Sequence, residues 1–101
     1  MHLLETENGT MLLRALVALS DEAECEAFLE DLLTGREIES ISQRLAVARL
    51  LMTDSRYAEV EQLTGASSAT IGRVNRCIQY GSGGYRRVLE KLGEVPKEED
   101  A

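Results

Sequence analysis

Between Tyr57 and Gln79 the chain reads YAEVEQLTGASSATIGRVNRCIQ, and this stretch restricts the fold more than any other. Two short apolar-periodic segments flank Gly65-Ala66. Glycine reaches positive φ without steric cost, so Gly65 permits a tight turn between two helices. The spacing predicts a first helix over 57–64 and a second over 67–79. Val60 and Leu63 on the first, and Ile71, Val74 and Ile78 on the second, are expected to meet where the helices cross. The second set is spaced i, i+3, i+7, a single narrow stripe. The stretch is therefore predicted to be a helix-turn-helix.

The other face of the second segment has an unusual composition. A helix that is merely solvated favours Glu and Lys, whereas this one offers Ser67, Ser68, Ala69, Thr70, Gly72, Arg73, Asn75 and Arg76. The two serines, with the N–H groups of the helix N-terminus, suit phosphates or base edges. Thr70 and Asn75 add a hydroxyl and an amide. Ala69 and Gly72 permit close approach to a groove floor, and Ala69 suits a thymine methyl. Arg73 and Arg76 suit phosphate or the O6 and N7 of guanine. Glycine inside a helix costs roughly 1 kcal/mol relative to alanine, so Gly72 is either a tolerated defect or a point of close approach. These residues predict double-stranded DNA as the partner. The bland alternative is an ordinary helical hairpin with a polar outer face.

The net charge of −7 at first argues against nucleic acid. Its distribution reverses that argument. Residues 1–64 carry 13 acidic and 5 basic side chains. From Gly65 to Lys91 there are five basic residues (Arg73, Arg76, Arg86, Arg87, Lys91) and one acidic, Glu90. The positive charge is thus confined to the second helix and the residues C-terminal to it. Few phosphates can be neutralised, so non-specific affinity should be limited.

A chain of 101 residues suffices for one domain with a modest core, to which a second copy could add. Only 4% of residues are aromatic and one is proline, which favours helices over strands. No apolar run nears the roughly 18 residues of a membrane span. No signal-peptide pattern opens the sequence. Cys25 and Cys77 form no CxxC pair and fall in separate predicted helices, where both read as core-like thiols of a reducing, cytoplasmic compartment. His2 has no cluster around it, so it reads as a terminal residue rather than a metal ligand. No convergent carboxylate pair or activated nucleophile suggests an enzyme.

Elsewhere the chain reads as helices of graded length. Residues 1–8 are weakly patterned, and a first helix is expected over 10–19, with Leu12, Leu13, Leu16 and Val17 on one face. Asp21 and Glu24 have capping-box spacing and open a second helix over 22–33, with Cys25, Phe28, Leu29, Leu32 and Leu33 inward. Thr34-Gly35-Arg36-Glu37 is another capping box. It opens the longest helix, to about residue 53, with a stripe of Ile38, Ile41, Leu45, Ala48 and Met52 widened by Val47 and Leu51. The Gly81-Ser82-Gly83-Gly84 run ends the helix-turn-helix; it lacks the pattern of a phosphate-binding loop. A last helix is expected over 85–92, capped by Gly93, and the charged residues 94–101 read as a flexible acidic tail. The expectation is a single all-α domain over 1–93 with about six helices.

Particular residues carry a family resemblance. Gly65 to Arg73, GASSATIGR, resembles the turn and recognition helix of the Trp repressor family, as do Leu32-Leu33-Thr34, Glu37 and Arg44 upstream. The longer pattern looks most like the YerC/YecD branch of Trp-repressor-like proteins: DLLT at 31–34, ISQRLAVARLL at 41–51, TGASSATIGRVNRCIQYG at 64–81 and GGY at 83–85. The resemblance runs from the first helix to Tyr85. It implies an intertwined all-α homodimer whose two heads read a pseudo-palindromic operator, with recognition helices about 34 Å apart. It further implies a sequence-specific transcriptional regulator, a repressor in sign.

Family corepressor positions are matched by Thr34, Arg44 and Arg73. The pattern departs at Val74, where the family has glycine, and at Asp31, where it has leucine. Bulk and charge there disfavour an indole, so no tryptophan corepressor and no other cofactor is expected, leaving room for an unknown small-molecule effector. A second reading is a dimeric protein-interaction module that keeps the fold without specific DNA binding; the acidic surface and Gly72 motivate it.

Overall fold

The computed structural model describes residues 4–97. His2 and residues 98–101 of the expected tail lie outside that range. Six helices succeed one another: α1 (Glu7–Ala18), α2 (Glu22–Leu32), α3 (Gly35–Leu51), α4 (Tyr57–Thr64), α5 (Ser68–Tyr80) and α6 (Gly84–Lys91). Among the described residues there is no strand. The backbone forms two compact units, divided within α3 between Ile38 and Glu39.

In the first unit the helix starts are written in the sequence. The Asp21 side chain accepts from the backbone N–H of Glu24 at 2.8 Å, which caps α2. Thr34 and Glu37 form the reciprocal box: the Glu37 N–H donates to the Thr34 hydroxyl (3.1 Å), and the Thr34 N–H donates to the Glu37 carboxylate (2.9 Å). The first helix starts earlier than its apolar face suggests. Thr6 accepts from the N–H of Gly9 at 3.0 Å, so α1 begins at Glu7 rather than near residue 10. Neither α1 nor α2 contains a buried residue. Met11, Leu13, Leu16, Val17 and Leu32 are exposed, while Cys25, Phe28 and Leu29 are only half-buried.

The second unit closes on itself. Its core is Val47, Ala48, Val60, Ala66, Ile71, Val74, Leu89 and Val95, with Leu50, Leu51, Met52, Ile78 and Tyr85 packed against it. The expected stripe on α3 is shifted. Val47 and Ala48 are fully buried, whereas Ile41 and Leu45 remain more than a third exposed. The face of α3 that meets this core is therefore the edge bearing Val47, Ala48 and Leu51. The expected tail also starts later than its charge suggests. Val95 is buried in the core, and the neighbouring Glu94 pairs with Arg49 at 3.5 Å, tying this segment to α3.

Candidate nucleic-acid interface

The turn between α4 and α5 has the conformation its glycine allows. Gly65 is left-handed (φ 71°, ψ 7°), and its N–H donates to the Glu61 carbonyl at 2.9 Å. Ala66 is buried beside it. Ser67 then caps α5, its hydroxyl accepting from the N–H of Thr70 at 3.1 Å and lying 3.1 Å from the Thr70 hydroxyl. Helices α4 and α5 pack on each other. Val60, Ile71 and Val74 are buried between them and the rest of the core, and Ile78 is half-buried.

Leu63, expected at this contact, is 70% exposed. At 3.6 residues per turn, the position one turn beyond Val60 is closer to Thr64, which is half-buried in its place. Cys77 is likewise exposed rather than core-like, because its position falls off the line from Ile71 through Val74 to Ile78. Cys25 is half-buried.

The side chains expected to meet DNA divide into two groups. Ser67, Ser68, Ala69, Arg73 and Arg76 are exposed, while Thr70, Gly72 and Asn75 are half-buried. Asn75 lies four residues after Ile71 and three before Ile78, on the flank of the buried stripe, so it belongs to the edge of the face and not its centre. Ala69, Arg73 and Arg76 lie on the line opposite the core. That line continues to Tyr80, four residues after Arg76 and 87% exposed. A search for small, hydroxyl and cationic side chains passes over Tyr80, although its spacing of i+4 from Arg76 and i+7 from Arg73 is a signal in the sequence.

Gly72 has open space around it. A Cβ placed there would meet only the Nη1 of Arg76, at 3.9 Å, which is ordinary contact with a flexible side chain. Among the described residues, no contact therefore requires glycine at this position. Charge around the helix is modest. Arg86 pairs with Glu90 at 3.4 Å, while Arg73, Arg76, Arg87 and Lys91 are exposed. Helix α4 contributes Glu59 and Glu61, and Glu59 accepts from the Arg56 backbone N–H at 3.1 Å.

The three corepressor-type positions are distributed over both units. Thr34 belongs to the first, where it caps α3. Its backbone N–H, and then its hydroxyl, hold the Glu37 carboxyl below its ordinary range. Arg44 and Arg73 belong to the second, half-buried and exposed respectively. Burial raises the Tyr85 phenol above its ordinary value; the nearby positive charge of Arg44 opposes this, and Cys77 adds to it. Val74 is 1% exposed and belongs to the core. No group of three or more His, Cys, Asp or Glu side chains among the described residues could hold a metal ion. No helix among them is long and apolar enough to cross a membrane.

Comparison with known proteins agrees with this architecture. The sequence profile of the family described as Trp repressor protein matches residues 7–93. The uncharacterised protein YerC of Bacillus subtilis (strain 168) is 44% identical over 87 residues, covering 86% of this chain and 84% of YerC. A crystal structure of a TrpR-like protein from Eubacterium eligens ATCC 27750 superposes with a TM-score of 0.87 at 45% identity, covering 93% of this chain and 97% of the other. A crystal structure of a protein from Staphylococcus aureus, proposed to be a Trp repressor, gives a TM-score of 0.83 at 40% identity, covering 87% and 88%.

Proposed function

The chain belongs to the Trp repressor family, and from that premise we propose that it is a sequence-specific DNA-binding transcriptional regulator, a repressor acting as a homodimer on a pseudo-palindromic operator. The observation that carries the reading is the outward face of α5. Ala69, Arg73 and Arg76 point away from the core, and Gly72 leaves a gap beside them that no packing among the described residues requires. A groove floor is a surface that would use such a gap. Arg73 and Arg76 supply donors to guanine or phosphate, and the Ser67–Ser68 end of the helix supplies N–H groups to phosphate. Asn75 and Thr70 serve at the edges, and the Tyr80 hydroxyl extends the row toward the backbone.

The homodimer is supported by α1 and α2, on which Met11, Leu13, Leu16, Val17 and Leu32 are exposed in the single chain. A second copy of the same helices would bury them and set two α5 helices on one side of a duplex. We assign no cofactor. Tryptophan is not proposed as corepressor, because Val74 puts a buried side chain where the family has glycine. Thr34, Arg44 and Arg73 remain the positions for an effector of other chemistry, and the proposed compartment is the cytoplasm.

The rival reading is a dimeric protein-interaction module. The acidic side chains of α4 and the exposed Leu63 beside them favour it. In vitro selection from random duplexes at fixed salt, with and without candidate amino acids, separates the two. The DNA reading expects an enriched palindrome whose binding weakens with salt and with Arg73→Ala or Arg76→Ala. Failure to enrich any sequence, together with capture of a protein partner that survives both substitutions, would favour the rival.

A further inference from the structure

The helix caps of this chain join residues two to four apart. A side-chain hydrogen bond of another kind spans 21: the Gln43 Nε2 donates to the Thr64 carbonyl at 3.1 Å. Thr64 is the last residue of α4, so its carbonyl is among those a helix end leaves without an intrahelical partner. A carbonyl only accepts, so the Gln43 amide must present its NH2 end there.

The side chain of Thr64 is used as well. Its hydroxyl donates to the Val60 carbonyl at 2.6 Å and accepts from the N–H of Ala66 at 3.1 Å. It therefore bridges the two sides of the left-handed Gly65. Ser67, one residue past Ala66, opens α5 with its cap. One turn along α3 from Gln43 is Val47, fully buried in the core, so Gln43 reaches out from an anchored part of the helix. The pathway runs from α3 to Gln43, to Thr64, across the turn, and into the first turn of α5.

We propose that Gln43 is a positioning residue for sequence reading: its amide clamps the Thr64 carbonyl and so fixes the turn from which α5 projects. This rests on the DNA-binding reading of α5. Base-edge hydrogen bonds demand donor–acceptor distances of about 2.7–3.2 Å, whereas phosphate contacts by long flexible side chains tolerate small shifts. Loosening the turn therefore removes discrimination between sequences more than it removes binding as such.

The test uses the full chain as wild type, Gln43→Met and Gln43→Lys. Methionine has similar length and no donor. Lysine has a donor long enough to reach the carbonyl. Two quantities are read: the ratio of affinities for the duplex selected by wild type and for a scrambled duplex at one salt concentration, and amide hydrogen exchange at Gly65 and Ala66. Gln43→Met is expected to lower the ratio roughly tenfold, the order of one base-edge contact, and to speed exchange at those two amides. Gln43→Lys is expected to recover both. An unchanged ratio in Gln43→Met, or an equal loss on both duplexes, overturns the inference and leaves the DNA reading standing. A wild-type chain that selects no duplex defeats the DNA reading and the inference with it.

Discussion

The helices of the two units, which divide between Ile38 and Glu39, close their apolar faces differently. After Glu39, eight side chains from α3 through Val95 are buried together, and the helix-turn-helix is part of that core. Before it, α1 and α2 carry Met11, Leu13, Leu16, Val17 and Leu32 in the open. Helices of 12 and 11 residues are marginal in water without a packed face. The second unit thus encloses its own apolar core around the helix-turn-helix, whereas the first leaves apolar side chains exposed, the surface that the proposed homodimer would cover.

The sharpest way to break that contrast is a charge on α1. Val17 is 85% exposed, so in an isolated chain Val17→Asp would change stability by no more than about 0.5 kcal/mol. In a homodimer that buries α1 the same change places a carboxylate in an apolar interface in both copies. The expected result is loss of the dimer at micromolar concentration in sedimentation, with a melting temperature that no longer depends on concentration. A dimer that tolerates Val17→Asp would show that α1 lies outside the interface.

The second unit predicts the opposite ranking of exposure and cost. Ile71 is fully buried, so Ile71→Ala should cost about 2–5 kcal/mol in denaturant unfolding. Leu63→Ala, on the neighbouring helix but 70% exposed, should stay within about 0.5 kcal/mol. Equal costs at the two positions would mean that Leu63 is covered in the assembled protein.

Much of this architecture is legible from periodicity and caps. The capping box at Thr34–Glu37, the Asp21 cap, the glycine turn at Gly65 and the stripe of Ile71, Val74 and Ile78 are all local signals, set by residues within a turn or two of each other. The features that escape such signals depend on distant parts of the chain. Which edge of α3 is buried is decided by the core it meets, so Val47 and Ala48 are covered while Ile41 and Leu45 are not. Val95 sits in a stretch whose charge signals solvent, but one apolar residue can be recruited when a helix such as α3 lies within reach. The assembly is implied by the family resemblance, since no spacing within a single chain encodes it.

Gly72→Ala separates folding from reading in one residue. The space beside Gly72 admits a methyl group, so alanine should stabilise the protein by roughly 0.5–1 kcal/mol through helix propensity. If α5 lies against a groove floor, the same methyl should weaken binding to the selected duplex. A variant that is both more stable and tighter on DNA would show that Gly72 is a tolerated defect.

The smallest effect belongs to the first unit and concerns pH. Glu37 is fully solvent-facing, yet its carboxyl is held below the ordinary value near 4.5, chiefly by the Thr34 backbone N–H and then by the Thr34 hydroxyl. A carboxyl lowered by folding contributes stability above its unfolded value and loses that contribution as pH falls through its folded value. The box at the start of α3 should therefore weaken only below about pH 4.5 and should be intact at neutral pH. Glu37→Gln keeps an acceptor for the Thr34 N–H but cannot titrate. Melting temperatures of the two proteins should run parallel above about pH 5 and differ in slope below about pH 4, with wild type the steeper. Parallel curves throughout would mean that the Thr34–Glu37 box adds nothing to the pH dependence of the first unit.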